Sequence, residues 1–149
     1  SGNAAPAPLP ALAKVAFVDV GSPASTEDLL RAVRSWADRN RPGYAQIVAK
    51  VAEASSLFVR GWEQQAQSSA APTWFDDITA GTNLHVEAMR ALGQQAGVEI
   101  ITPSIQAVIE LAARHGIAAK PSGAGGGDLV ALVASSQAQI DTFSRVLFD

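Results

Sequence analysis

Cysteine is absent from this 149-residue chain, and histidine occurs only twice. Without cysteine, disulfide bonds and thiolate metal sites are excluded. The two histidines, His85 and His115, lie thirty positions apart and lack the spacing of metal ligands. His85 falls within a helical pattern and is interpreted as a surface or hydrogen-bonded histidine, and His115 falls where a helix is expected to end. The sequence therefore predicts no metal site and no catalytic histidine.

Positive charge is also scarce. Eleven Lys and Arg residues stand against fourteen Asp and Glu residues, which gives a net charge of −3 and a pI near 5.3. The basic residues are scattered along the chain and form no patch of the kind that binds nucleic acid or an anionic membrane. We therefore expect a small-molecule or protein partner.

No hydrophobic run approaches the roughly 18 residues that a membrane-spanning helix requires. The beginning of the chain, "SGNAAPAPLPALAK", lacks the basic segment of a signal peptide. We expect a cytoplasmic protein in which residues 1–13 are a linker or are left over from expression. Residues 14–149 are long enough for one domain with a substantial core.

Hydrophobic periodicity and turn residues predict three strands and five helices. The strands are expected at 14–20, 117–120 and 128–135. The first helix is expected to begin at Ser25 or Thr26, the second to cover about 42–67 and the third about 73–92. The fourth helix is expected to include 105–112 and to be followed by Gly116, and the fifth to include 140–147. Within the third helix Gly81 is either a break or a site of close packing, and Gly93 is predicted to end it.

This order of elements predicts an α+β fold in which helices cover one face of a small, mainly antiparallel sheet. It resembles a ferredoxin-like plait with extra helices. Such a plait needs one more strand than the pattern supplies, so the last strand is expected to be missing.

A glycine-rich segment, "KPSGAGGGD" at 120–128, lies between the last two predicted strands. It is not a Walker loop, because its lysine precedes the glycines, and it is not a dinucleotide fingerprint, because a strand follows it. Its backbone N–H groups are suited to an anion nest, with Lys120 supplying charge and Ser122 a hydroxyl. A flexible hairpin connection explains the glycines about equally well.

Two segments resemble a known family, the GHMP kinases, which include galactokinase and mevalonate kinase. "KPSGAGGGD" resembles the third conserved motif of these enzymes, in the variant with Lys-Pro-Ser before the glycines and Asp after them that is typical of phosphomevalonate kinases. "VDVGSPAST" at 18–26 resembles the segment that opens the C-terminal domain of phosphomevalonate kinases. The resemblance covers most of the chain and implies the C-terminal domain of a GHMP kinase.

The resemblance also implies a substrate- and phosphate-binding site at the cleft between two domains. It assigns residues from the glycine-rich segment and from the Ala-Ser-Thr turn to this site. These residues are Ser25, Thr26, Lys120, Ser122, Gly123, Ala124, Gly125, Gly126, Gly127 and Asp128. For Ser25 and Thr26, ordinary helix capping explains the same residues.

One part of the family pattern has no counterpart. GHMP kinases bind the ATP phosphates with a Pro-x-x-x-Gly-Leu-Gly-Ser-Ser-Ala loop in an N-terminal domain, and nothing in this chain resembles it. Phosphoryl transfer requires nucleotide, metal and acceptor to be positioned together. We therefore expect ATP and Mg²⁺ to act only in a complete enzyme, and this chain alone to be inactive.

The resemblance implies that the complete enzyme converts ATP and 5-phosphomevalonate to ADP and 5-diphosphomevalonate, in the mevalonate pathway of isoprenoid synthesis. Two alternatives stay open. One is another GHMP small-molecule kinase, such as a mevalonate kinase, and the other is a non-catalytic module that binds a phosphorylated metabolite or a protein. The face that would meet the N-terminal domain is expected to be apolar and exposed, and it could support self-association.

Overall fold

The computed structural model describes residues 11–21, 25–67, 73–123, 126–127 and 129–148. Within them it has the three strands and five helices that the sequence predicts, so the α+β class is confirmed. In chain order they are β1 (Lys14–Asp19), α1 (Thr26–Arg39), α2 (Arg41–Gln67), α3 (Trp74–Ala96), α4 (Pro103–Arg114), β2 (Ala118–Ser122), β3 (Leu129–Ala134) and α5 (Gln137–Phe148).

The strands form one antiparallel sheet in the order β1-β3-β2. β2 and β3 are a hairpin joined by the glycine-rich loop, and β1 adds to the other edge of β3. In this register Ala131 of β3 lies opposite Phe17 of β1 and opposite Lys120 of β2. Because residues directly opposite one another point to the same face, these three side chains form one row across the sheet.

Helices pack on both faces of the sheet. On the first face Val130 and Leu132 belong to a core cluster with residues of α4 and α5, including Phe143. On the second face Val133 belongs to a cluster with Ile78 of α3. The prediction that helices cover one face only is therefore wrong, because β3 is apolar on both of its sides and both sides need a cover.

Part of the second face remains uncovered on the β1 side. Val15, Phe17 and Leu129 are 41%, 60% and 39% exposed, and the register places all three on this face. We call these three residues the open sheet face. Exposed apolar side chains gathered on one surface are typical of interaction sites.

α2 and α3 are the longest helices and pack as an antiparallel pair. They approach closely at Gly81, where a Cβ atom would lie 2.6 Å from the backbone oxygen of Ala54 and 2.8 Å from the backbone nitrogen of Phe58. α3 runs through this position without interruption. Of the two possibilities left open by the sequence, close packing is therefore the correct one.

The sequence predicts that α3 ends at Gly93, whereas the structure ends it at Ala96. Gly97 follows in the left-handed conformation, with a φ of 70°, and its N–H donates to the backbone oxygen of Gly93. Gly93 itself is buried, and a Cβ there would lie 2.6 Å from the backbone oxygen of Val98. The prediction is wrong because Gly93 provides space for packing, whereas Gly97 provides the chain reversal.

α4 leads into β2 and thereby positions the strand that carries Lys120. It begins after Thr102, whose hydroxyl accepts a hydrogen bond from the N–H of Ile105 at 3.3 Å. It ends at Arg114, and Gly116 follows the helix end, as predicted, with a φ of 65°. Among the helices that the structure describes, none combines the length and the hydropathy needed to cross a lipid bilayer.

Candidate functional site

The described glycines of the loop between β2 and β3 are Gly123, Gly126 and Gly127, with φ values of 79°, 84° and 128°. Residues with a side chain rarely adopt this region, so the loop conformation requires glycine at these positions. The N–H of Gly126 donates to the backbone oxygen of Ile100 at 2.9 Å. An anion nest in this loop would therefore have to use backbone amides other than that of Gly126. Three predicted site residues lie outside the described residues: Ala124, Gly125 and Asp128.

Lys120 lies in β2, as the sequence predicts, and β2 continues to Ser122, so Ser122 belongs to the strand and not to the loop. They are two positions apart on the strand, so their side chains share the second face of the sheet. The ammonium of Lys120 donates a 2.9 Å hydrogen bond to the backbone oxygen of Pro121. Lys120 lines a cavity together with residues of α2 and α3, and the loop itself begins at Gly123.

The start of α1 carries the other two predicted residues. Ser25 is its N-cap, and the Ser25 hydroxyl accepts a hydrogen bond from the N–H of Asp28 at 3.3 Å. Thr26 is the first residue of the helix, and its side chain is exposed. Glu27 and Asp28 share the guanidinium of Arg31, at 2.9 and 3.0 Å. Capping is therefore confirmed for Ser25, and an anion at this helix end would meet two carboxylates that Arg31 partly neutralises.

A cavity of about 310 Å³ connects the first turns of α1 with the glycine loop. Leu29 and Leu30 of α1, Tyr44 of α2 and Met89 of α3 line it, and Gly123 lies at its edge. We call it the Gly123 cavity. Gly123 of the glycine-rich segment lines this cavity, whereas the α1 residues that line it, Leu29 and Leu30, follow the segment at 18–26, and most of the lining is apolar.

A second cavity, of about 350 Å³, lies between α2 and α3 above β2. We call it the Lys120 cavity. It is lined by Ala54, Ser55, Phe58, Val59, Gly81, Thr82, His85 and Lys120. The predicted site residues are therefore divided between two cavities, with Gly123 at one and Lys120 at the other.

The charged groups of the Lys120 cavity are partly removed from water. Burial lowers the pKa of the Lys120 ammonium. Burial also lowers the pKa of His85, and the positive charge of Lys120 lowers it further. His85 is therefore neutral at pH 7 and can donate one ring N–H.

His85 and Thr82 are the functional candidates that the sequence reasoning missed. Thr82 is 2% exposed, and its hydroxyl has no hydrogen-bond partner among the described residues. The signal that could have found them is their spacing: Thr82 and His85 stand three positions apart, which places them on one side of a helix. Gly81 beside them marks where that side approaches α2.

A third cavity, of about 530 Å³, lies at the connection between α3 and α4 and is lined by none of the predicted residues. Two of its polar lining residues bind each other, since Arg90 donates to the Gln106 side chain at 2.6 Å, and Gln94 and Glu99 also line it.

Asp76 and Asp77 lie in the first turn of α3. Asp77 also accepts a hydrogen bond from Arg60 Nε of α2 at 2.7 Å, and this hydrogen bond lowers the pKa of Asp77. Within the ranges that the structure describes, no three acidic or histidine side chains come together as a metal site.

Comparison with known proteins gives one family match. Residues 81–148 match the model of the GHMP kinase C-terminal region. The match begins at Gly81 in α3 and includes α4, β2, the glycine loop, β3 and α5. Comparison with curated protein sequences gives no match. This chain is therefore similar to GHMP kinase C-terminal regions over slightly less than half of its length.

Solved structures extend the likeness to most of the chain. A Lin0012 protein from Listeria innocua superposes with a TM-score of 0.79 at 18% identity, over 89% of this chain and 35% of that protein. The mevalonate kinase of L. major in complex with R-mevalonate superposes with a TM-score of 0.68 at 16% identity, over 88% of this chain and 36% of the kinase. The fold is thus shared, and this chain spans about a third of either protein.

Proposed function

We propose that this chain is the C-terminal, substrate-side domain of a GHMP small-molecule kinase. The observation that carries the proposal is the segment "KPSGAGGGD", which resembles a GHMP motif and forms the hairpin connection beside the Gly123 cavity. The family match over residues 81–148 and the fold shared with a mevalonate kinase support it.

The substrate that we propose first is 5-phosphomevalonate. Its support is the pair of sequence motifs, because both resemble the phosphomevalonate kinase variants. In the complete enzyme the γ-phosphate of ATP would be transferred to the phosphate of this substrate, which yields 5-diphosphomevalonate and ADP. Mevalonate is the second candidate, and it is favoured by the fold likeness to a kinase that was solved with R-mevalonate bound.

In this proposal the substrate phosphate binds to the glycine loop from Gly123 to Asp128, to the Ser122 hydroxyl, and to Ser25 and Thr26 at the start of α1. The cavity itself would take the apolar carbon skeleton of the substrate, since Leu29, Leu30 and Met89 line it. No Mg²⁺ ligand is assigned to the described residues, which hold no suitable cluster. ATP and Mg²⁺ would bind to an N-terminal domain of the same protein.

That N-terminal domain is the partner that we propose for the open sheet face. Val15, Phe17 and Leu129 lie beside the second face of β3 and present an apolar surface to solvent. Burying such side chains against another domain is favourable by about 25 cal/mol per Å² of apolar surface. In the isolated chain the same face would favour self-association.

Calorimetric titration of the 149-residue chain with 5-phosphomevalonate, mevalonate and inorganic phosphate tests the proposal. We expect 5-phosphomevalonate to bind most tightly. Gly123→Ala should weaken its binding at least about tenfold, because a side chain disfavours the positive φ on which the loop depends. Tighter binding of mevalonate would transfer the proposal to the second candidate.

Gly97→Ala is the matched control. Gly97 also has a positive φ, 70° against 79° for Gly123, and a Cβ at either position would meet no atom within 4 Å. The two variants therefore carry a similar backbone strain, but Gly97 lies away from the Gly123 cavity. Equal binding by wild type and Gly123→Ala, or no binding of any of the three ligands at millimolar concentration, would refute the proposed site.

A further inference from the structure

The Lys120 cavity contains polar groups that the proposed function does not use. One donor of the Lys120 ammonium is bound to the backbone oxygen of Pro121, which leaves two others. The Thr82 hydroxyl is buried without a partner among the described residues, and the neutral ring of His85 offers one N–H. Buried polar groups are normally hydrogen-bonded, so an unpaired hydroxyl beside an ammonium requires an explanation.

We propose that the Lys120 cavity binds a small organic anion. Its oxyanion head would accept hydrogen bonds from Lys120, His85 and Thr82, and its short apolar body would lie against Phe58 and Val59. A carboxylate and a phosphate share the chemistry of the head, and the experiment below distinguishes them.

Charge and size both fit such a ligand. The cavity has a cationic side chain, and no acidic residue is among those that line it. An anion would therefore neutralise Lys120 in a place where burial makes its charge costly. The volume of about 350 Å³ falls at the lower end of the range of about 300–1,000 Å³ that is usual for ligand pockets.

The apolar walls explain why the ligand needs an apolar body. Ala54, Phe58 and Val59 of α2 form one side, and Gly81 of α3 allows the two helices to close around the other. An inorganic ion alone would leave these apolar walls in contact with water. A branched aliphatic chain would cover it and gain about 0.8 kcal/mol per buried methylene group.

Although the family resemblance assigns Lys120 to the kinase substrate site, Lys120 lines this cavity, and the two cavities share no lining residue. The Gly123 cavity is lined by Tyr44 to Val51 of α2, whereas the Lys120 cavity is lined by Ala54 to Val59. On α3 the former uses Met89 and Leu92, and the latter uses the turn that carries His85. An experiment can therefore show that one cavity binds no ligand without deciding whether the other one does.

Proton NMR of the two imidazole rings tests the proposal in the 149-residue chain. The probe is isovalerate, a branched carboxylate, and isovaleramide is the uncharged control of the same shape. We expect isovalerate to shift the His85 resonances with saturation and to raise the pKa of His85, while isovaleramide has no effect. His115, at the end of α4, is the internal control and should not respond.

Inorganic phosphate forms the third arm of the titration. If phosphate shifts the His85 resonances less than isovalerate does, the result supports a ligand with an apolar body. If phosphate shifts them and isovalerate does not, that part of the proposal is overturned. The whole proposal is overturned if the His85 resonances shift no more than those of His115 across the isovalerate titration, or if isovaleramide moves them as far as isovalerate does.

Two variants test whether Lys120 and Thr82 take part in binding isovalerate. Lys120→Met keeps the length of the side chain, removes its charge and should abolish the isovalerate shift of His85. Thr82→Val keeps the shape, removes the buried hydroxyl and should weaken isovalerate binding several-fold without loss of folding. An unchanged isovalerate titration in Thr82→Val and in a folded Lys120→Met chain would contradict the assignment.

Discussion

Lys120 is the residue whose surroundings differ most from what its sequence neighbours suggest. In the sequence it introduces a glycine-rich loop and looks like the charged edge of a phosphate site. In the structure its amine lies among side chains of α2 and α3. The strand position that the sequence predicts for Lys120 is confirmed, but the helices that cover its face are brought there by tertiary packing, which the sequence pattern does not show.

The coupling between Lys120 and His85 gives a prediction at the residue scale. We expect the pKa of His85 to lie below its ordinary value of 6.5, because burial and the charge of Lys120 both disfavour the imidazolium. Among the residues that line the Lys120 cavity, His85 of α3 and Lys120 of β2 are the titratable ones. The lining residues that α2 contributes carry no ionisable side chain. Lys120→Met should raise the pKa of His85, as measured by NMR titration.

The same shift has a consequence for stability. A histidine whose pKa is lower in the folded state contributes stability that is fully present above its unfolded pKa of 6.5 and is lost as pH falls from there through the lower folded pKa. The free energy of unfolding should therefore decrease as pH falls below 6.5, and less steeply in His85→Gln. Urea denaturation at several pH values measures this free energy. If it depended on pH equally in the wild type and in His85→Gln, His85 would not be the source of the pH dependence.

At the scale of elements, the glycines separate into two roles that the sequence does not distinguish. Gly97 and Gly116 reverse the chain with positive φ, whereas Gly81 and Gly93 allow close approach of backbone. Sequence position identified Gly116 correctly because a periodic apolar pattern ended just before it. It failed for Gly93, since the helix continues to Ala96 and only the tertiary contact with Val98 explains the glycine.

Gly81→Ala should separate α2 from α3. The added methyl group would contact the backbone of Ala54 and Phe58, which cannot rotate away as a side chain can. We expect a loss of about 1–3 kcal/mol in the free energy of unfolding, although alanine favours helix more than glycine does. Chemical denaturation measures it.

Asn83→Ala is the control for this variant. Asn83 is an exposed residue two positions further along the same helix, so alanine there improves helix propensity without a clash. It should raise the free energy of unfolding by roughly a few tenths of a kcal/mol. A Gly81→Ala chain as stable as Asn83→Ala would show that the helices have room at this point.

At the scale of the whole molecule, the open sheet face is the feature that sets this chain apart from a self-sufficient domain. We expect the isolated chain to self-associate at high concentration, with Phe17 in the contact because it is 60% exposed. Phe17→Ser should shift sedimentation toward the monomer and change stability little. Phe148→Ser makes the same substitution at an 84% exposed position on α5, and equal effects of the two variants would contradict a role for the sheet.

The fold class and all eight elements of the described residues follow from periodicity and turn residues, because each apolar run is bounded by glycine, proline or a capping residue. Which helix covers the second face of β3 does not follow, since it depends on α3 packing over Val133. For the candidate site, the motifs identified the loop and the start of α1. The second cavity depends on the approach of α2 to α3, for which the sequence signals are Gly81 and the spacing of Thr82 and His85.

The proposed function depends most on binding of a phosphorylated substrate by the glycine loop beside the Gly123 cavity. Amide NMR of the ¹⁵N-labelled chain during titration with 5-phosphomevalonate measures this binding residue by residue. We expect saturable shifts of the Gly123 and Gly127 amides, with Gly97 and Gly116 unaffected. Shifts confined to residues of the Lys120 cavity, or no shifts at millimolar ligand, would contradict it.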